Sequence, residues 1–161
     1  MLILLSALLA CTSGNDLGAN TTAHIDALRT LVEEHADAVS ALNSTSEIAA
    51  IEVDYDASYD SEMTDMSDMM DGMMSCMGDM MGSGDMSDMM GDMSEHMDEM
   101  GSAHDAHGDS MASCADMSGC TDLEAEHMDA MMEHLDGMET DMGSWDDEMS
   151  CSDDEDGGMS M

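Results

Sequence analysis

The sequence predicts an all-α protein, an up-down-up-down four-helix bundle built from two related helical hairpins. Three observations predict it. Apolar and metal-binding side chains recur at steps of three and four residues, the spacing of a bundle seam. Short breaks rich in Gly, Ser and Asn separate these stretches, as loops between antiparallel neighbours do. Part of the pattern also repeats: His24 and His35 are matched by His96 and His107, with the same spacing inside each pair. Tyr59 with Met63 and Cys76 is matched by His134 with Met138 and Cys151, again at equal internal spacing and at nearly the same offset along the chain.

The elements follow in order. Residues 1–10, MLILLSALLA, form an apolar run too short to span a bilayer, which fits a signal peptide. Residues 11–20 are a polar linker, and the bundle occupies 21–150. The first helix, about 21–42, starts from Asn20 or Thr21 as N-cap and presents His24, Leu28, Leu31, His35, Ala38 and Leu42. Ser44 and Glu47 make a capping box for a second helix, about 46–81, whose stripe includes Glu52, Tyr55, Tyr59, Met63, Met66 and Met70. Gly82-Ser83-Gly84 breaks it. The third helix, about 85–114, has the most regular seam, with Met93, Met97, Met100, His104, His107 and Met111. Thr121 and Glu124 form a second capping box after a loop at Ala115 to Gly119. The fourth helix, about 121–149, carries Leu123, His127, Met131, His134, Met138 and Met142. The acidic tail 151–161 is expected to fray.

Composition narrows the function. The chain has 161 residues, the length of a single domain, with 26 Met and neither Phe nor Pro. Its 39 acidic residues face a single base, Arg29, for a net charge of −38. That balance excludes nucleic acid as a partner, because phosphate recognition needs Lys and Arg. It favours cations, or a saline medium in which charge is screened. High charge and few aromatics favour disorder, but the periodic Met seams and an apolar fraction of 43% favour a folded chain. A Met core is soft and specifies packing weakly, so metal or disulfide support would help it.

The histidines carry the candidate chemistry. His24, His35, His104, His107, His127 and His134 fall on inward seams, and His96 stands beside one. Buried imidazoles cost free energy unless their nitrogens find partners. Counting back from the two loops near residues 44 and 117 places His35, Glu52, His107 and His127 in one layer, a ligand set for Zn²⁺, Cu²⁺ or Ni²⁺. Lower down, His24, His96, Met63, Met66 and Met138 make a softer layer suited to Cu⁺. His104 and His134 fall between the two. Any one Met here is more simply core filler than ligand.

Cysteine placement favours two disulfides: Cys114–Cys120 across the last loop, and Cys76–Cys151 at the far ends of the second and fourth helices. Thiolate metal binding is the alternative. Glu124-x-x-His127 matches half of a di-iron carboxylate motif, but a partner motif is missing and Glu124 is claimed by its capping box. Haem-attachment, nucleophile-elbow, phosphate-loop and metalloprotease motifs are all missing, so no enzyme is expected.

Two resemblances add to this reading. Leu8-Leu9-Ala10-Cys11 resembles the lipobox of bacterial lipoproteins, although no Lys or Arg precedes the apolar run. The resemblance implies export and lipidation of Cys11, and Thr12 after the Cys points to the outer membrane. The segments MSDMMGDMSEHMDEM and SAHDAHGDSM resemble the Met/His-rich stretches of bacterial periplasmic copper- and silver-handling proteins, over about residues 62–142. That resemblance implies copper, as Cu⁺ or Cu²⁺, with zinc or another divalent ion next. The expected function is therefore sequestration of metal, or tolerance to it, by a lipid-anchored envelope protein. The alternatives are an acidic structural lipoprotein with no specific metal, and a redox protein using haem or copper.

Overall fold

The computed structural model of the chain describes the backbone of residues 14–77 and 85–150, with side chains over 20–72 and 90–143. The proposed signal peptide, Cys11, the Cys76–Cys151 pairing and the acidic tail lie outside the described residues.

Four helices make up the fold: α1 (Gly14–Ala41), α2 (Ile48–Met77), α3 (Asp85–Met111) and α4 (Met117–Ser150), with a 3-10 turn at Thr45–Glu47 leading into α2. α1 packs on α2 and α4, α3 packs on α4, and α2 meets α3 more loosely. Cross-helix pairs fix the directions. His24 and His35 meet Glu62 and Glu52, so α1 and α2 are antiparallel. His96 and His107 meet Asp141 and Glu124, so α3 and α4 are too. Arg29 on α1 reaches Asp136 on α4, and His104 on α3 reaches Asp56 on α2. The fold is an up-down-up-down four-helix bundle.

Two helix starts differ from the sequence reading. α1 begins at Gly14, inside the stretch read as linker. α4 begins at Met117, one turn before the expected cap, because the Asp116 carboxylate accepts from the Gly119 N–H at 3.0 Å and caps the helix there. Thr121 is then interior and donates to the Met117 carbonyl at 2.8 Å. That shift frees Glu124 from any capping duty. Ser44 does cap the turn before α2, accepting from the Ser46 N–H at 3.3 Å.

The core has two unequal parts. The larger holds Ile25, Leu28, Val32, Met66, Met93, Met100, Met131, Leu135 and Met138, with Tyr55 and Tyr59 at its upper edge. The smaller is a plug at the loop end, built from Val39, Ile48, Met111 and Cys120. Each fully buried Leu or Met contributes roughly 1.5–3 kcal/mol. The Cys114–Cys120 disulfide staples the α3–α4 loop over the plug. Between plug and main core lies a polar layer. No described helix is long and apolar enough to cross a membrane.

Burial shows that the internal repeat has one register throughout. Leu28 matches Met100, His35 matches His107 and Val39 matches Met111, each pair buried and each at the offset that separates His24 from His96. The same shift relates Ile48 to Cys120, Glu52 to Glu124, Tyr55 to His127 and Met66 to Met138. Tyr59 therefore corresponds to buried Met131 rather than to His134. The bundle is a pseudo-two-fold repeat of one hairpin.

Candidate metal centre

The polar layer takes one side chain from each helix: His35 (α1), Glu52 (α2), His107 (α3) and Glu124 (α4). His35 Nε2 lies 3.3 Å from Glu52 Oε1 and 3.1 Å from Glu124 Oε2. His107 Nε2 lies 3.7 Å from Glu52 Oε2 and 3.1 Å from Glu124 Oε2. A tetrahedral ion with bonds of about 2.0 Å has ligand atoms about 3.3 Å apart; the four His–Glu distances bracket that value, and one ligand atom from each residue lies within 4.8 Å of the others. All four side chains are buried, Glu124 to 2% exposure. Despite their proximity, His35 Nε2, His107 Nε2 and both oxygens of each glutamate make no hydrogen bond. Buried polar atoms that converge on a point without bonding one another are the arrangement a cation satisfies. These four residues can hold a metal ion.

The pseudo-symmetry extends to the bracing around the layer. The His35 ring stacks on Tyr55 at 3.9 Å and 9°, and its counterpart His107 stacks on His127 at 4.0 Å and 14°. Each hairpin thus fixes its inward imidazole with a ring one helical turn beyond its own glutamate. A hydrogen bond of 2.9 Å between Tyr55 Oη and His127 Nε2 joins the two braces. Burial drives the His127 pKa down to about 3, with the neighbouring His107 adding to the shift. Burial pushes the Tyr55 phenol up. His127 is therefore neutral and Tyr55 protonated, and the phenol donates.

Charge within the layer is balanced in the same way. Burial pulls the His35 pKa down, but the carboxylates of Glu124 and Glu52 outweigh it and hold it at about 9. Burial pushes Glu124 up, and His107 and His35 more than reverse this, to about 2. Without a cation, the proton on His35 offsets part of the anionic charge. A divalent ion would replace that proton.

The sequence reading of this layer is corrected at one ligand. His35, Glu52 and His107 do come together, but His127 is a brace, and Glu124 takes the fourth place. The signal that finds Glu124 is the repeat itself, since Glu124 follows Glu52 at the same offset by which His107 follows His35.

The proposed soft layer is not assembled. His24 sits on the α1–α2 edge, 3.1 Å from Glu62. His96 sits on the α3–α4 edge with His134, their Nδ1 atoms 3.4 Å apart. Met66 and Met138 are buried in the main core, with Met63 packed against it. The physical reason is that the seam is wide: residues flanking the inward stripe reach an edge between neighbouring helices, not the bundle axis.

His96, His134 and Glu99 form a second, half-buried group that can hold a metal. Glu99 lies 3.4 Å from His134 Nδ1, and Asp141 lies 3.5 Å from His96 Nε2. Gly137 makes room for this group, because a Cβ there would lie 2.5 Å from the His96 ring. His104, the remaining histidine of the sequence reading, lines a groove between α2 and α3.

No protein-family model matches the chain, and no curated protein or solved structure matches it either. Function must be argued from the site.

Proposed function

We propose that the chain is a metal-sequestering protein that holds a divalent transition ion, Zn²⁺ or Cu²⁺, at the four-helix layer. The observation that supports it is the convergence of one side chain from each helix, His35, Glu52, His107 and Glu124, with ligand atoms within 4.8 Å of one another and their inward atoms free of hydrogen bonds. Two carboxylates neutralise a divalent charge in a largely buried site. Two imidazoles and two carboxylates suit borderline divalent ions; the affinity order favours Cu²⁺, and a tetrahedral arrangement favours Zn²⁺. Cu⁺ would want thioether or thiolate, so the donor set argues for cupric over cuprous copper. The surface charge of −38 would raise the local cation concentration around the chain. The lipobox-like Leu8-Leu9-Ala10-Cys11 supports a lipid anchor, which would hold this capacity in the bacterial envelope, at the outer membrane.

The test is competition for Cu²⁺ and Zn²⁺ against a chelator of known affinity, on the wild-type chain and on His35→Ala with Glu124→Gln. Stoichiometric ion held by the wild type and released by the variant is expected. Equal retention by both, or loose uptake that salt abolishes, would refute the layer as the binding site.

A further inference from the structure

We infer that the groove between α2 and α3 is the route by which the cation reaches the buried layer, and that His104 with Asp56 forms a waiting site on it. This rests on the metal-binding reading above and adds where the ion enters.

The argument comes from broken symmetry. Because one constant sequence offset relates the two hairpins, each position on the α2–α3 face has a counterpart on the α4–α1 face. The two faces keep acids at one pair of positions, Asp105 and Asp109 against Glu33 and Asp37, and differ at others. Between α2 and α3 lies a groove of about 490 Å³, lined by Asp56, Asp60, Asp105 and Asp109 and reaching Glu52 and His104. The counterparts of Asp56, Asp60 and His104 are Met128, Met132 and Val32. The two methionines pack against the core and Val32 is fully buried. Arg29, the single basic residue of the chain, covers that face. It lies 3.6 Å from the Met132 sulfur and is held by Asp136 at 2.9 Å and Glu139 at 3.2 Å. A cation therefore meets apolar packing and a guanidinium paired with two carboxylates on one side, and on the other an open groove whose acids lead inward to Glu52.

The groove also contains groups aimed at an ion. Glu52, Asp56 and Asp60 stand at successive turns of α2, so carboxylates run from the surface to the layer itself. Glu52 is 9% exposed, and both of its oxygens lack a hydrogen bond. His104 is 7% exposed and its ring is stacked on Tyr59 at 4.0 Å and 20°. Its Nε2 lies 3.2 Å from Asp56 Oδ1, while its buried Nδ1 makes no hydrogen bond. Imidazole and carboxylate at this distance offer an incoming ion a first pair of ligands before Glu52 takes it over.

The experiment is stopped-flow uptake of Co²⁺ by the full chain at low salt, read from the visible bands of the bound ion. Asp105→Asn with Asp109→Asn removes two charges from the groove. Glu33→Gln with Asp37→Asn removes two charges from the counterpart positions, which are equally exposed. Uptake about tenfold slower for the first pair, and within about twofold of wild type for the second, is expected for steering through one face. His104→Val should slow uptake and release by the same factor and leave Kd unchanged. His104→Gln, which keeps a polar side chain, guards against a folding defect. Equal slowing by the two charge pairs would overturn the route. Unchanged rates in both His104 variants would overturn the waiting site. A wild-type chain that takes up no Co²⁺ would overturn this inference together with the reading it rests on, so the two failures are distinguishable.

Discussion

Glu124 shows how much one residue in this chain depends on its neighbours. Its carboxylate has almost no water around it, yet His107 and His35 hold it ionised down to about pH 2. Glu124→Gln keeps the shape and removes the charge, so it should weaken divalent binding by on the order of 100-fold or more, since loss of an outer-sphere partner alone costs 10–100-fold; isothermal titration would measure it. The titrating residues also set a pH optimum for the metal-free chain. His127 is depressed from 6.5 to about 3, so its contribution is present above 6.5 and lost as pH falls. Glu124 adds to the acid loss between 4.5 and about 2. His35 is raised from 6.5 to about 9, so its contribution is present below 6.5 and lost as pH rises to 9. The melting temperature of metal-free protein should therefore peak near pH 6.5, and His127→Phe should flatten the acid limb. An unchanged acid limb in that variant would show that His127 is not buried neutral. Three of the four central residues were legible from helical counting. Glu124 was hidden because Thr121-x-x-Glu124 reads as a capping box; the repeat marks it as the partner of Glu52, and the Asp116 cap of α4 shows that it is free of capping.

The elements are unequal in what their sequence reveals. Helix positions follow from the period of three and four, because a seam of Met, Leu and His has one way to face a bundle axis. Helix ends were less legible, as α1 and α4 show, since several Ser, Thr, Asp and Asn residues compete to cap each break. Edge residues such as His96 were also misjudged, because a periodic pattern cannot separate the axis of a bundle from its flanks. Gly137 tests the flank. Gly137→Ala should displace the His96 ring from its place against α4. Because that ring is partly exposed and Ala favours the helix by about 0.5–1 kcal/mol, stability should change little, with ion content of the central layer unchanged and binding at the His96–His134 group lost. The Cys114–Cys120 clasp closes a short loop, so replacing both by Ser should lower stability by about 2 kcal/mol in urea denaturation. A loss several times larger would mean that the apolar plug depends on the clasp for its packing.

On the scale of the whole molecule, charge and symmetry work together. A net charge of −38 repels itself across a bundle of this size, so the metal-free chain should melt at higher temperature as NaCl screens that repulsion. A bound divalent ion should reduce that salt dependence by stabilising the folded state directly. The repeat supplies two histidines and two glutamates at one level, a group that could hold a metal ion. Symmetry is kept at these four residues and broken around them, in Tyr55 against His127 and in the open α2–α3 groove against the face under Arg29.

The central claim is the identity of the four ligands, and X-ray absorption at the metal edge tests it most directly. Purified chain loaded with Cu²⁺, and separately with Zn²⁺, should show one ion in a shell of nitrogen and oxygen only, with imidazole scattering from two histidines that is lost together in His35→Ala with His107→Ala. Sulfur in the first shell would place the metal among the methionines or cysteines, and a nitrogen and oxygen shell unchanged in that variant would place it on another group such as His96, Glu99 and His134; either result would contradict the four-helix layer as its site.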